Sequence, residues 1–233
     1  MLRFRLIRLA SAATLLVTSA AAFSIAHHAD HGRTSVRPRF ATTNQDFEYQ
    51  EMRAIIDSMD RENVPSRYMN PEKRQELEGY VRSVISSRST GTCLPTTKED
   101  LVGTTWRLAF STEAAALGEL PKDATVRIEF LNAERLSYSL DFSEQTMGLN
   151  RLQAESTWEL DGTTGSVTYV YDKISTDAFG FRNVGIGLFG LLKGRPNYVF
   201  TAYFDGAFWI EGAVDEDGSE YINVYVRQGD GWN

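Results

Sequence analysis

From Leu101 to Tyr225 apolar residues recur at nearly every second position, and this two-residue rhythm constrains the chain more than any other feature. Successive side chains of a strand point to opposite faces, so the alternation marks a sheet with one dry and one wet face. Eight runs carry it. The first holds Trp106, Leu108 and Phe110, the second Val126, Ile128 and Phe130, the third Leu136, Tyr138, Leu140 and Phe142. Leu152, Ala154, Ser156, Trp158 and Leu160 make the fourth, and Val167, Tyr169 and Tyr171 the fifth. Tyr198, Phe200, Ala202 and Phe204 form the sixth, Phe208, Ile210 and Val214 the seventh, Tyr221, Asn223 and Tyr225 the last. Asp161-Gly162, Asp205-Gly206 and Asp217-Gly218 stand between runs as hairpin turns, because Asp and Gly tolerate positive φ.

A meander of this kind leaves two unpaired edges unless it closes, and eight strands close around side chains or one small ligand. The expected fold is therefore mainly β: an eight-stranded antiparallel lipocalin-like barrel over residues 101–233, preceded by one or two amphipathic α-helices over residues 44–100. A two-sheet sandwich is the alternative. The first helix is expected from Asp46 to about Arg61, with Phe47, Ile55, Ile56 and Met59 at helical intervals. The second opens with Asn70 as cap and Pro71 at the first helical position, then presents Leu77, Val81, Val84 and Ile85 on one stripe.

Residues 1–22 read as a signal peptide: Arg3, Arg5 and Arg8, a short apolar run from Leu9 to Val17, then small residues up to Ala22. That run is too short to span a bilayer. Residues 23–43 are rich in Ser, Thr and Arg with Asp30 as their one acid, the composition of a plastid transit peptide. The Ala22-Phe23 junction resembles the cleavage motif of diatom and related algal plastid precursors, which implies an alga with a complex plastid. The alternative is a plain signal peptide followed by a tail.

Charge and composition exclude several function classes. Residues 1–43 hold six of the 24 basic residues and one of the 31 acidic ones, leaving 18 against 30. A domain this acidic repels phosphate backbones, so no nucleic-acid partner is expected. All three histidines, His27, His28 and His31, lie in the presequence, and Cys93 is the one cysteine. Neither a metal site, a disulfide framework nor a histidine-assisted nucleophile is expected, and no cofactor. Glu129, Asp141, Glu155 and Glu159 fall on the wet phase, where nothing raises a carboxylate's pKa. The expectation is a protein that is not an enzyme.

Three motifs have bland readings. Gly185-x-Gly187-x-x-Gly190 matches the dinucleotide fingerprint, but hairpins surround it and Pro196 follows, so the strand-to-helix turn it needs is missing. Asp215 to Glu220 imitates part of a calcium loop without its flanking helices. Phe179 to Leu192 is an apolar, glycine-rich stretch, read as a flap over a barrel mouth, a membrane-facing loop or a buried plug. What remains is an inward aromatic set: Trp106, Phe110, Tyr138, Trp158, Tyr169, Tyr171, Phe200 and Phe208. Of these Trp106, Tyr138, Trp158, Tyr169 and Phe208 are the candidate ligand-binding residues, apolar walls with a few polar tips.

Leu101-Val102-Gly103-Thr104-Thr105-Trp106-Arg107-Leu108-Ala109-Phe110-Ser111-Thr112 resembles the start of the plastid lipid-associated protein (plastid fibrillin) domain, and Tyr203 to Gly218 with Val224 to Arg227 resembles its final hairpin. Where that family places an arginine in the hairpin, this chain has Trp209. The resemblance implies a plastid protein of the stroma, thylakoid surface or plastoglobule that binds a hydrophobic small molecule: a lipid, isoprenoid quinone or carotenoid. Peripheral membrane contact falls to Phe179–Leu192. The alternatives are a non-catalytic structural accessory subunit of a thylakoid protein complex, and an isoprenoid- or lipid-modifying enzyme.

Overall fold

The computed structural model describes residues 42–62, 68–88, 94–113, 124–146, 149–185, 196–214, 218 and 220–229. The proposed signal peptide, most of the proposed transit segment, Cys93, Gly187 and Gly190 of the glycine motif, and most of the Asp215–Glu220 turn lie outside them. Among the described residues come, in chain order, helices α1 (Thr42–Glu62) and α2 (Pro71–Arg88), a short 3-10 turn at Lys98–Asp100, and ten strands. These are β1 (Thr105–Ser111), β2 (Ala124–Phe130), β3 (Arg135–Thr146), β4 (Leu149–Asp161) and β5 (Ser166–Ala178). They continue as β6 (Phe181–Gly185), β7 (Pro196–Val199), β8 (Thr201–Phe204), β9 (Phe208–Val214) and β10 (Glu220–Gln228).

All ladders are antiparallel, and their order is β6-β5-β4-β3-β2-β1-β10-β9-β8, with β7 pairing the Val167–Val170 part of β5 on the same edge as β6. The expectation of eight strands in a closed ring is thus corrected to ten strands in an open ladder path. Two local events account for the count. The sixth alternating run breaks at Phe200, so that β7 pairs with β5 while β8 pairs with β9. Phe181–Gly185, expected as part of an irregular loop, instead folds back on β5 through a two-residue turn. Phe179 and Gly180 in that turn have φ of 54° and 83°, the double left-handed geometry whose twist matches a hairpin.

The sheet curls strongly. Phe130 on β2 and Trp209 on β9 are three ladders apart, about 14 Å in a flat sheet at roughly 4.8 Å per ladder. Their ring centroids lie 5.7 Å apart. One face of the sheet therefore wraps a single core of Trp106, Ile128, Phe130, Leu136, Leu140, Trp158, Tyr169 and Tyr225, among others. On the outer face of β2–β5 the wet phase is laced by ion pairs. Asp141 holds Arg127 and Arg151, Arg135 holds Glu155 and Asp172, and Lys173 holds Glu155.

A second core lies on the opposite face of β1 and β8–β10, where both faces are apolar. Met52, Ile56 and Met59 of α1 and Leu77, Val81 and Val84 of α2 bury against Phe110, Tyr203, Phe208, Ile210, Ile222 and Val224. Asn70 caps α2, its Oδ1 accepting the Glu72 N–H at 2.9 Å. Arg74 anchors the helix to the sheet by donating to the Ser111 carbonyl at 2.7 Å, and Arg107 of β1 pairs with Asp60 of α1. The helices thus cover the outer wall and leave the inner face alone. The segment after α2 seals one end of the curl: a Cβ at Gly162 would stand 2.3 Å from the Thr96 carbonyl oxygen. Glycine is required there by close approach.

Candidate functional site

The inner face has two zones of different chemistry. The first is an aromatic plug. Trp106 meets Phe204 at 5.5 Å and Trp209 at 5.8 Å, Phe130 meets Trp158 at 4.7 Å, and Trp209 meets Tyr225 at 5.6 Å. Each indole N–H is matched: Trp106 donates to Thr104 Oγ1 at 2.7 Å, Trp158 to the Asn132 carbonyl at 2.9 Å, Trp209 to Thr201 Oγ1 at 2.9 Å. Lys98 closes this end, its ammonium 4.8 Å from the Trp158 ring centre and bonded to the Ala133 and Trp158 carbonyls. Rings packed edge to face or tilted on one another, with satisfied N–H groups, make a solid floor.

The second zone is polar and buried. Glu211 of β9 and Asn223 of β10 face each other across the ladder, and Asn223 Nδ2 donates to Glu211 Oε2 at 3.0 Å. The same amide reaches Glu113 Oε2 at 3.5 Å, and Tyr225 donates its hydroxyl to Glu211 Oε2 at 3.3 Å. Tyr138 from β3 and Tyr169 and Tyr171 from β5 complete the group, the last two packed edge to face at 5.5 Å. Burial pushes the Glu211 carboxyl up to about 7; Glu113's charge adds to this, while the hydrogen bonds from Asn223 and Tyr225 oppose it. Burial likewise raises Tyr171 to about 12 and Tyr138, Tyr169 and Tyr225 well above the usual phenol value. At neutral pH the phenols are therefore hydrogen-bond donors, and Glu211 stands at its point of titration.

Of the five residues singled out from the sequence, Trp106 and Trp158 lie in the floor, and Tyr138 and Tyr169 line the polar zone. Phe208 does not join them. It sits on the outer face in the core beneath the helices, edge to face with Tyr49 of α1 at 5.6 Å. Its strand carries apolar residues on both faces, and Trp209 is the inward one. Phe110 also turns outward, because β1 carries an irregularity between Leu108 and Phe110 that reverses the phase. Phe200, at the break between β7 and β8, stacks on Tyr198 at 5.8 Å. Setting the phase of β9 on Trp209 would have placed Glu211 inward with Asn223 and Tyr225.

The β5–β6 hairpin presents Phe179, Phe181 and Val184 at 76%, 71% and 45% exposure; the rest of the Phe179–Leu192 stretch, from residue 186, lies outside the described residues. Among the described residues no three His, Cys, Asp or Glu side chains gather as a metal site, and no helix is long and apolar enough to cross a membrane. No family model, curated protein or solved structure matches the chain.

Proposed function

We propose that the chain is a non-catalytic binding protein of the plastid that holds an apolar molecule, such as a lipid, isoprenoid quinone or carotenoid, in the curl of the sheet. The observation that carries this reading is the division of one inner face into an apolar floor and a buried polar zone, the two surfaces an amphiphile needs. The segment 196–204 supports it, being paired to β5 at one end and to β9 at the other. It brings the β5 and β8 ends of the open ladder path together across the break at Phe200, as a lipocalin-like curl around a ligand requires. The resemblance of residues 101–112 to the plastid lipid-associated domain agrees with a cargo of this class. Phe179 and Phe181, exposed at a hairpin tip, serve as the contact with a thylakoid or plastoglobule surface from which cargo is exchanged.

Trp106, Trp158 and Trp209 make the inner face its own reporter. Titrating the full chain with decyl-plastoquinone or β-carotene from detergent micelles is expected to quench indole fluorescence saturably at about one ligand per chain, with Kd about 1 μM, or roughly −8 kcal/mol. Absence of saturable quenching by either probe, together with no apolar molecule in an organic extract of the purified protein, overturns the reading.

The buried Glu211 favours a second reading, an isoprenoid- or lipid-modifying enzyme, since a carboxyl titrating near neutrality can give or take a proton. Ligand recovered unchanged after prolonged incubation favours carriage; product that disappears with Glu211→Gln favours catalysis.

A further inference from the structure

We infer that the polar zone is a head-group site selecting uncharged ligands that end in a hydroxyl and rejecting those that end in a carboxylate. The inference rests on the reading of the inner face as a ligand chamber and specifies what that chamber accepts.

Glu113 and Glu211 bring two carboxyl groups into the zone, and both draw on the single Nδ2 of Asn223. That use of the amide leaves Asn223 Oδ1 buried with no donor among the described residues. Ser156, on the inner face of β4 directly opposite Tyr171 of β5, is fully buried, and its Oγ likewise has no partner. Leaving a buried polar group without a hydrogen bond is costly, so two on one inner face mark where the polar end of a ligand would bond. Among the buried described residues there is no Lys, Arg or His. A carboxylate, phosphate or sulfate head would therefore meet carboxylates with no cation to offset it, at a steep desolvation cost. A hydroxyl has the chemistry for both groups: it donates to Asn223 Oδ1 or a Glu211 oxygen, and accepts from the Ser156 hydroxyl. An ammonium head would satisfy the acceptors and meet the Glu211 carboxylate, but it has no lone pair for the Ser156 hydroxyl and loses its own hydration on entry.

Three isoprenoid probes with one hydrocarbon body and different heads test this: all-trans-retinol, all-trans-retinoic acid and retinylamine, each titrated into the full chain at pH 8 with indole quenching as readout. Retinol is expected to bind at least tenfold more tightly than retinoic acid and more tightly than retinylamine. Glu211→Gln, which removes a negative charge and supplies an amide donor, is expected to bring retinol and retinoic acid within about threefold of each other. Ser156→Ala is expected to weaken retinol several-fold while leaving retinoic acid unchanged, a test that does not depend on the behaviour of Glu211→Gln. Retinoic acid binding as tightly as retinol, retinylamine binding most tightly, or an unchanged ratio in Glu211→Gln each overturns the head-group assignment while the chamber stands. Failure of all three probes to bind removes the chamber and the assignment together.

Discussion

Trp209→Ala is expected to cost the fold about 4 kcal/mol, within the 3–5 kcal/mol typical of a buried Trp cut back to Ala. The side chain is fully buried and touches Trp106, Phe130 and Tyr225. It thereby ties β9 to β1, β2 and β10 from inside the curl, and its loss leaves a void bordered by rings that cannot collapse without giving up their packing on one another. Its indole N–H also holds Thr201 at the start of β8. Against a typical total stability of about 5–15 kcal/mol the loss is large, and for a chain of this size it lowers the Tm by roughly 8–16 °C. Chemical denaturation of the full chain checks it, with Phe179→Ala at the exposed hairpin tip expected to change stability by less than about 0.5 kcal/mol. A loss below about 1 kcal/mol for Trp209→Ala would mean the floor is not the keystone of the curl.

Glu211→Gln is expected to stabilise the protein above neutrality, by an amount on the order of 3 kcal/mol, and to flatten its pH dependence. The folded carboxyl titrates at about 7 against an ordinary value of 4.5. Below pH 4.5 both folded and unfolded chains carry the proton and this group contributes nothing. Between about 4.5 and 7 the unfolded chain has lost a proton that the folded one keeps, so stability falls as pH rises. Above about 7 the folded chain holds a buried charge and the penalty is constant. Glu113 faces Glu211 from beyond β1, Tyr138 from β3, Tyr169 from β5 and Tyr225 from β10. The phenols stay protonated through this window because burial raises them all. Urea unfolding of wild type and variant at pH 4.5, 6, 7 and 8 should show the two curves diverging with pH; parallel curves would mean Glu211 is not buried as a carboxylate.

How much of this was readable from the residues depends on what each strand faces. In β2 to β4 the two-residue rhythm identified the inner face because the outer side chains are polar: Arg127, Ser139, Gln153 and Glu155 leave no doubt about phase. In β5 the rhythm lapses at Asp172 and Lys173. A register irregularity there puts both on the outer, ion-paired side before Ile174 returns inward. In β9 Phe208, Trp209 and Ile210 are all apolar because helices cover the outer wall, so alternation alone could not say which ring points in. The polar zone was hidden by the same ambiguity, since Glu211 shares its phase with Trp209. Glu113 follows β1 past the irregularity that reverses the phase at Phe110. The helices were readable from Asn70-Pro71 and the Leu77, Val81, Val84 stripe, whereas the break at Phe200 and the Phe179-Gly180 hairpin had no signal in the alternation.

Photolabelling asks most directly whether cargo lies inside the curl. The full chain, loaded with a retinol analogue bearing a diazirine on its polyene-replacing tail, would be irradiated, digested and mapped by mass spectrometry. Label concentrated on Ile128, Leu140, Leu152 and Trp158, apolar inner residues of β2, β3 and β4, and displaced by excess retinol, is the expected result. Label confined to Phe179–Val184 or to the helix surfaces, undiminished by competitor, would mean that apolar molecules meet only the outside of this protein.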